Sequence, residues 1–145
     1  EVALASGWLA RRRIGGLIVL ERESGLQEYV ETGIALDAVV SHQLLRTIFS
    51  PSSPLHDGAI ILREGRVVAA GCVLPLAEVR EVQGELGTRH RAGLGLSEQT
   101  DAVVVIISEE RGAISLAVEG YMERGLDEEE LERRLRHLLD RGKAL

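Results

Sequence analysis

The stretch GAIILREGRVVAAGCVL, residues 58–74, contains two apolar runs separated by a short polar turn. Glu64-Gly65 lies between the runs at hairpin spacing, so the sequence predicts strands at 58–63 and 66–74. A second pair of strands is predicted at 102–108 and 113–118, around Glu110-Arg111-Gly112, and a further strand at 16–22. Because these runs are apolar continuously rather than alternately, both faces of the sheet are expected to be covered, which indicates a layered α/β domain.

Helices are predicted between and after these strands. Residues 1–13, 26–32 and 41–49 have helical patterns, the third with Ser41 as its N-cap, and residues 89–99 form a further predicted helix. Residues 50–55 are expected to form a loop, and Val39-Val40 a brief strand. The last helix starts at a capping-box-like pair, carries leucines on one face and is expected to end at a glycine: Asp127 and Glu130, then Leu131, Leu135, Leu138 and Leu139, then Gly142.

Composition limits the class of protein. The chain has 145 residues, 45% of them hydrophobic and 28% charged, which fits one globular domain spanning 1–145. A single cysteine, Cys72, excludes an internal disulfide or a Cys-rich zinc site, and its apolar surroundings predict a buried thiol. A net charge of −6 argues against non-specific nucleic-acid binding. No stretch reaches the roughly 20 apolar residues of a membrane span, and no signal peptide is recognisable.

Gly87-Thr88-Arg89-His90-Arg91 is a candidate anion site. Thr88 can cap the following helix, whose free N–H groups would then point at an anion, and guanidinium groups match phosphate oxygens in pairs. An acidic protein that binds phosphate needs such a local concentration of positive charge. The alternative is an exposed arginine pair in salt bridges with Glu81 or Glu85.

His56-Asp57 is a candidate metal site. A carboxylate beside an imidazole can hold a hard cation that also bridges phosphates, and Gly58 would let a ligand approach the backbone closely. The alternative is a loop aspartate that caps a turn, next to a histidine with its hydrogen bonds satisfied. Ser108-Glu109-Glu110 offers a hydroxyl and two carboxylates to a nucleotide or metal, or is a polar strand end.

Three stretches together resemble a known family. They are LHDGAIIL (55–62), ELGTRHRAGLGLSEQTDAVVVIISEERGAISLA (85–117) and the segment from Arg11 through the DGA motif at 57–59. The chain resembles the diadenylate cyclase (DAC) domain of bacteria and archaea, most of all its membrane-anchored members. The resemblance covers nearly the whole chain, and the order of DGA before GTRHR is highly specific.

The resemblance implies a single domain with a central mixed β-sheet flanked by helices. It also implies condensation of two ATP into cyclic di-AMP with release of two pyrophosphates, across a face-to-face homodimer that requires Mn²⁺ or Mg²⁺. The implied location is the cytoplasmic face of the cell membrane, through transmembrane helices that precede residue 1 in a parent protein, with this fragment itself soluble. A regulatory protein partner is also possible.

The resemblance further assigns roles to residues. Asp57 would help to hold the metal and activate the 3′-hydroxyl, with His56 as a second metal ligand. The ATP-contacting residues would be Gly58 and Ala59 against the nucleotide, Leu74 on adenine, and Gly87, Thr88, Arg89, His90, Arg91, Ser108, Glu109 and Glu110. Val73 departs from the tyrosine that many membrane-anchored members have near the base.

Two other classes of protein remain open at this point. One is a non-catalytic nucleotide-binding sensor that keeps the pocket without turnover. The other is a metal phosphohydrolase built on His56-Asp57, whose further metal-binding histidines would have to come from His42, His90 or His137.

Overall fold

A seven-stranded sheet organises the computed structural model, which describes residues 1–78 and 87–140. The strand order is β2-β4-β3-β1-β5-β6-β7. The strands are β1 (Gly16–Leu20), β2 (Ile34–Val39), β3 (Ala59–Arg63), β4 (Arg66–Cys72), β5 (Val103–Ile107), β6 (Ile114–Val118) and β7 (Tyr121–Leu126). The helices are α1 (Val2–Arg11), α2 (Gln27–Val30), α3 (His42–Phe49), α4 (Thr88–Gln99) and α5 (Glu128–Asp140).

The sheet is mixed, as expected. β1 runs parallel to β3 and antiparallel to β5, and the remaining neighbouring strands are antiparallel. The parallel pair requires a long crossover, and the segment containing α2, β2 and α3 supplies it. The α/β fold class is therefore confirmed.

Helices cover both faces of the sheet, which explains the continuous apolar runs. Successive side chains of a strand point to opposite faces. In β1, Ile18 and Leu20 join a core cluster with α1, α3 and α5, whereas Leu17 and Val19 join a second cluster with α4. All five residues of β1 are buried.

Local signals in the sequence correctly located one hairpin turn and two helix starts. Glu64 and Gly65 have φ values of 49° and 76°, the left-handed pair that a tight hairpin turn of type I′ requires. The Ser41 hydroxyl accepts from the Leu44 N–H at the start of α3. Asp127 and Glu130 exchange side chain–backbone hydrogen bonds before α5, so the capping box is confirmed.

Both edge strands were poorly predicted. β2 begins at Ile34, well before the expected Val39-Val40, and β7 was not expected at all. Each edge strand is largely exposed and irregular, β2 having a shifted register around Asp37 at φ 56°. Asp37 interrupts the apolar run of β2, and Glu123 and Arg124 interrupt that of β7, so neither shows the continuous apolar run by which the inner strands were recognised. The predicted helix end at Gly142 lies outside the described residues.

No helix within residues 1–78 and 87–140 has the length and apolar character needed to cross a membrane.

Candidate active site

The register of the sheet brings the predicted polar stretches together along one edge of the sheet. This edge is formed by the ends of the strands and not by an outermost strand. β1 and β3 begin at this edge, while β4 and β5 end there, because Ala59 pairs with Cys72 and Gly16 pairs with Ile107. The Asp57 loop therefore precedes β3 at the same edge where Ser108 follows β5. Helix α4 packs against β5, β6 and β1 on one face and starts beside these loops.

A mainly apolar pocket of about 320 Å³ opens at this edge. Its walls come from the end of β4, the start of β1 and the first turns of α4. The lining residues are Leu17, Asp57, Gly58, Gly71, Cys72, Val73, Leu74, Leu76, Thr88, Arg89 and Ala92. Leu74 is buried, whereas Val73 and Leu76 are exposed at 66% and 50%, so an apolar surface is open to a ligand.

A charged pocket of about 520 Å³ adjoins it. Its walls come from the start of α4, the β5–β6 loop and β7. The lining residues are Gly87, Thr88, Arg89, His90, Ser108, Glu109, Glu110, Arg111 and Arg124. Thr88 and Arg89 line both pockets, so the two form one cleft with an apolar half and a charged half.

Asp57 and Arg89 lie in this shared cleft. Both line the apolar half, although they are separated by a strand pair and a loop in the sequence. The Arg89 guanidinium also lies directly over Gly15, where any β-carbon would overlap it. Its Nη1 is 3.4 Å from Glu109 Oε1, an ion pair that links α4 to the end of β5.

Gly58 permits a close backbone approach. Its φ is 108°, and a β-carbon there would lie within 3.0 Å of backbone atoms of Gly71 and Cys72. Side-chain-bearing residues rarely adopt this conformation, and the contacting atoms are backbone that cannot move aside. Ala59, the next residue, is fully buried in β3 and does not line either pocket.

His56 lies just outside both pockets. Its ring atom Nδ1 is 2.8 Å from the Ser53 carbonyl oxygen, and the backbone N–H of His56 donates to the same oxygen. Since a carbonyl can only accept, Nδ1 is the donor in this contact. The alternative of a histidine with a satisfied ring nitrogen thus fits Nδ1.

The donor set for a cation is small. Among the described residues, no cluster of three or more His, Cys, Asp or Glu side chains could hold a metal ion. Mg²⁺ is commonly held by one or two carboxylates together with waters and substrate phosphates. The residues present fit a cation whose coordination is completed by a phosphorylated substrate, and do not fit a cation held by protein ligands alone.

Two expectations for the GTRHR stretch need correction. Gly87, in an extended conformation, is the N-cap of α4, and Thr88 is its first helical residue with no side-chain cap bond. Arg91 lines neither pocket, and its Nε donates to the Ala77 carbonyl at 3.2 Å while the Ala77 N–H donates to the Arg91 carbonyl. Its position therefore fits anchoring of the segment after Leu74 better than phosphate binding. The alternative partners Glu81 and Glu85 lie outside the described residues.

His90 is buried beneath the charged pocket at 7% exposure. Burial lowers its pKa, and the positive charges of Arg124 and Arg89 lower it further, against the opposing effect of Glu110. The imidazole therefore stays neutral in the folded protein at neutral pH.

Ser108 organises the loop that carries the two glutamates. Its N–H donates to the Ala113 carbonyl, its carbonyl accepts from Gly112, and its hydroxyl accepts from the Arg111 N–H. Glu109 and Glu110 are exposed at the rim. The loop thus presents carboxylates beside the cationic wall of the pocket.

The lining residues that the sequence did not indicate include Leu17, Arg111 and Arg124, besides Gly71, Cys72, Leu76 and Ala92. Leu17 is one of five buried residues in β1, and no local signal distinguishes it from the others. Arg124 lies on β7, which was not predicted. Arg111 directly follows the glutamate pair, and its position in the turn was the available signal.

A layered α/β domain whose cleft is apolar at one end and charged at the other is suited to a ligand with one apolar part and one charged part. The chain belongs to the DAC family: the family model described as "DisA bacterial checkpoint controller nucleotide-binding" matches residues 3–122. The similarity extends to curated proteins and solved structures.

Cyclic di-AMP synthase CdaA of Bacillus subtilis is 48% identical over 134 residues, 92% of this chain and 49% of that protein. Diadenylate cyclase of Listeria monocytogenes is 48% identical over 131 residues, 90% of this chain and 48% of that protein. The chain therefore spans about half the length of these curated relatives.

The crystal structure of a double mutant of DacA from Staphylococcus aureus matches with a TM-score of 0.92 at 46% identity, covering 95% of this chain and 92% of that one. A hypothetical membrane spanning protein from Bacillus cereus matches with a TM-score of 0.82 at 42% identity, covering 86% and 61% respectively.

Proposed function

We propose that this chain is the catalytic domain of a diadenylate cyclase, which condenses two ATP into cyclic di-AMP and releases two pyrophosphates. The observation that carries the proposal is the shared cleft of Asp57 and Arg89 in a member of the DAC family. The names of the relatives, a cyclic di-AMP synthase and a diadenylate cyclase, support the same reaction.

The two halves of the cleft suit the two parts of ATP. Adenine would occupy the apolar half against Leu74 and Leu17, with Gly58 in the lining of the same half. The phosphates would extend past Thr88 and Arg89 into the charged half. Arginine forks and the N–H groups at the start of α4 are the donors that phosphate oxygens favour.

The chemical step forms a bond from the 3′-oxygen of one ATP to the α-phosphorus of the other. The bond from that phosphorus to the bridging oxygen breaks, and pyrophosphate leaves with the electron pair. Asp57 would take up the proton of the 3′-hydroxyl, and Arg89 would neutralise charge on the phosphates. Positioning and charge neutralisation are the main sources of rate enhancement in phosphoryl transfer.

A divalent cation, Mn²⁺ or Mg²⁺, would supply further charge neutralisation at the phosphates. Asp57 and Nε2 of His56 are the proposed protein ligands, because Nδ1 of His56 already contacts the Ser53 carbonyl. Since the described residues offer no three-ligand cluster, phosphate oxygens and waters would complete the coordination.

A single cleft binds one ATP, so the attacking hydroxyl must come from a second copy of the chain. Two copies facing each other across a two-fold axis would present each 3′-hydroxyl to the opposite α-phosphate, matching the symmetry of the product. We also propose a membrane-anchored parent, which the name of the Bacillus cereus relative and the half-length coverage of CdaA support.

The test is to incubate the purified chain with ATP and Mn²⁺ or Mg²⁺ and to separate the products. Cyclic di-AMP and pyrophosphate are expected, with a specific activity that rises with protein concentration because the active site needs two copies. ADP or AMP with phosphate would instead indicate a phosphohydrolase. Bound but unchanged ATP at every protein concentration would indicate a sensor.

A further inference from the structure

Arg124 belongs to the charged half of the cleft although it lies outside every motif discussed above. It projects from edge strand β7 and lines the pocket together with His90, Glu110 and Arg89. Its positive charge contributes to the lowered pKa of His90, which lines the same pocket.

A β-bulge in β7 begins at Arg124. Leu116 pairs with Glu123 and Ile114 with Leu126, so three steps along β7 match two steps along β6. The extra residue falls at Arg124-Gly125, and Gly125 has a φ of 71°. Bulges of this kind redirect side chains and often occur next to functional sites.

The bulge allows Arg124 and Leu126 to lie on opposite faces of the sheet. Met122 packs against the α4-side core, and regular alternation places Arg124 on the same side, towards the pocket. Continued alternation would also turn Leu126 to that side, but the extra residue sends it into the core with α5. Glu123, on the opposite face from Arg124, forms an ion pair with Arg134 of α5.

The charge of Arg124 is not neutralised within the part of the chain described. Arg89 pairs with Glu109, whereas Arg124 forms no ion pair or side-chain hydrogen bond with any residue in 1–78 or 87–140. The exposed guanidinium of Arg124 faces a pocket that Arg89, Arg111, Glu109 and Glu110 also line. A bound anion could pair with this guanidinium.

We infer that Arg124 binds the β- and γ-phosphates of the bound ATP, the part that leaves as pyrophosphate. The inference deepens the proposed function and rests on it for the orientation of the nucleotide. Thr88 and Arg89 mark the junction of the two halves, and Arg124 lines only the charged half. A nucleotide with its base in the apolar half thus reaches Arg124 with the end of its phosphate chain.

The experiment compares the binding of two nucleotides to Arg124→Ala and Arg124→Lys by calorimetric titration. The probes are AMP and an ATP analogue in which a methylene group replaces the α,β-bridging oxygen, so that no turnover occurs. Arg134→Ala is the matched control, since Arg134 is paired to the neighbouring Glu123 on the other face and lines no part of the cleft.

Arg124→Ala is expected to weaken the binding of the triphosphate analogue roughly ten- to hundred-fold and to leave the binding of AMP unchanged. Arg124→Lys should recover part of the loss, because the charge remains without the paired donors. Arg134→Ala should bind both nucleotides like the original chain.

Unchanged analogue binding by Arg124→Ala, or equal weakening of AMP and the analogue, would overturn the inference. The inference and the proposed function fail separately: an original chain that binds the analogue but makes no cyclic di-AMP from ATP removes only the function. If the chain is an active cyclase but its affinity for the analogue does not depend on Arg124, only the inference fails. If the original chain binds neither nucleotide, both the inference and the proposed function fail.

Discussion

Arg89 of helix α4 forms an ion pair with Glu109 beyond strand β5, with Nη1 and Oε1 3.4 Å apart. The pair lies where the apolar and charged halves of the cleft meet, and the same guanidinium rests over Gly15 at the start of β1. Three elements that are distant in sequence thus position one cation. The carboxylate partner holds that cation in place, and an arriving phosphate group can compete for it.

Gly15→Ala should displace the Arg89 guanidinium without unfolding the domain. The added methyl group overlaps only the far end of a flexible side chain, which can move away. We expect the KM for ATP to rise roughly ten-fold, since a charge-assisted contact is lost, with a change in unfolding free energy below about 1 kcal/mol. Steady-state kinetics and urea denaturation measure the two effects.

Gly25→Ala is the control, because no atom lies within 4 Å of its added methyl group. An unchanged KM in Gly15→Ala would contradict the role given to the position of Arg89.

Asp57→Asn should abolish synthesis of cyclic di-AMP while leaving the fold intact. The substitution removes one carboxylate and no packing, so the turnover number should drop roughly 10²-fold or more, as expected for loss of a proton-accepting group. Product formation from ATP and thermal unfolding are the measurements. Asp140→Asn, at an exposed position at the end of α5, serves as the matched control. Normal turnover in Asp57→Asn would remove Asp57 from the mechanism.

Stability should fall as the pH drops below about 6.5, the usual pKa of histidine, because the pKa of His90 is lowered in the folded state. Between the folded pKa and 6.5 the unfolded chain binds more protons, so the free energy of unfolding rises with pH across that window. In the variant His90→Gln, the free energy of unfolding should depend less steeply on pH. Urea denaturation between about pH 5 and about pH 8 measures the slope.

His137→Gln changes an exposed histidine on α5 and should keep the original slope. If His90→Gln retains that slope as well, burial of His90 does not set the pH dependence.

Cys72 should react slowly with iodoacetamide although it lines the apolar half of the cleft. Burial raises the pKa of its thiol to about 11, so only about one molecule in a thousand is a thiolate at pH 8. Unfolding in urea should restore the rate of an ordinary thiol. Mass spectrometry of the alkylated protein follows the reaction, and equal rates for folded and unfolded chain would show that the thiol is open to solvent.

Local sequence signals determined the inner part of this fold. The hairpin at Glu64-Gly65, the N-cap at Ser41 and the box formed by Asp127 and Glu130 all depend on residues a few positions apart, and each lies where the pattern predicts. The inner strands were recognisable because burial on both faces demands continuous apolar side chains. Charged residues interrupt the apolar pattern of both edge strands, which is why β7 and most of β2 were missed.

The motifs DGA and GTRHR were also visible in the sequence, but the relation between them was not. Whether Asp57 and Arg89 share a cleft depends on the parallel register of β1 with β3 and on how α4 packs across β5, contacts between residues far apart in the chain. The same long-range packing turned Arg91 towards Ala77, and the pairing of β7 with β6 placed Arg124 on the side of the pocket. The sequence by itself determined the inner elements and the kinds of chemical group available. Only the tertiary structure decided which groups meet, because a side chain's surroundings depend on strand register and helix packing rather than on its neighbours in sequence.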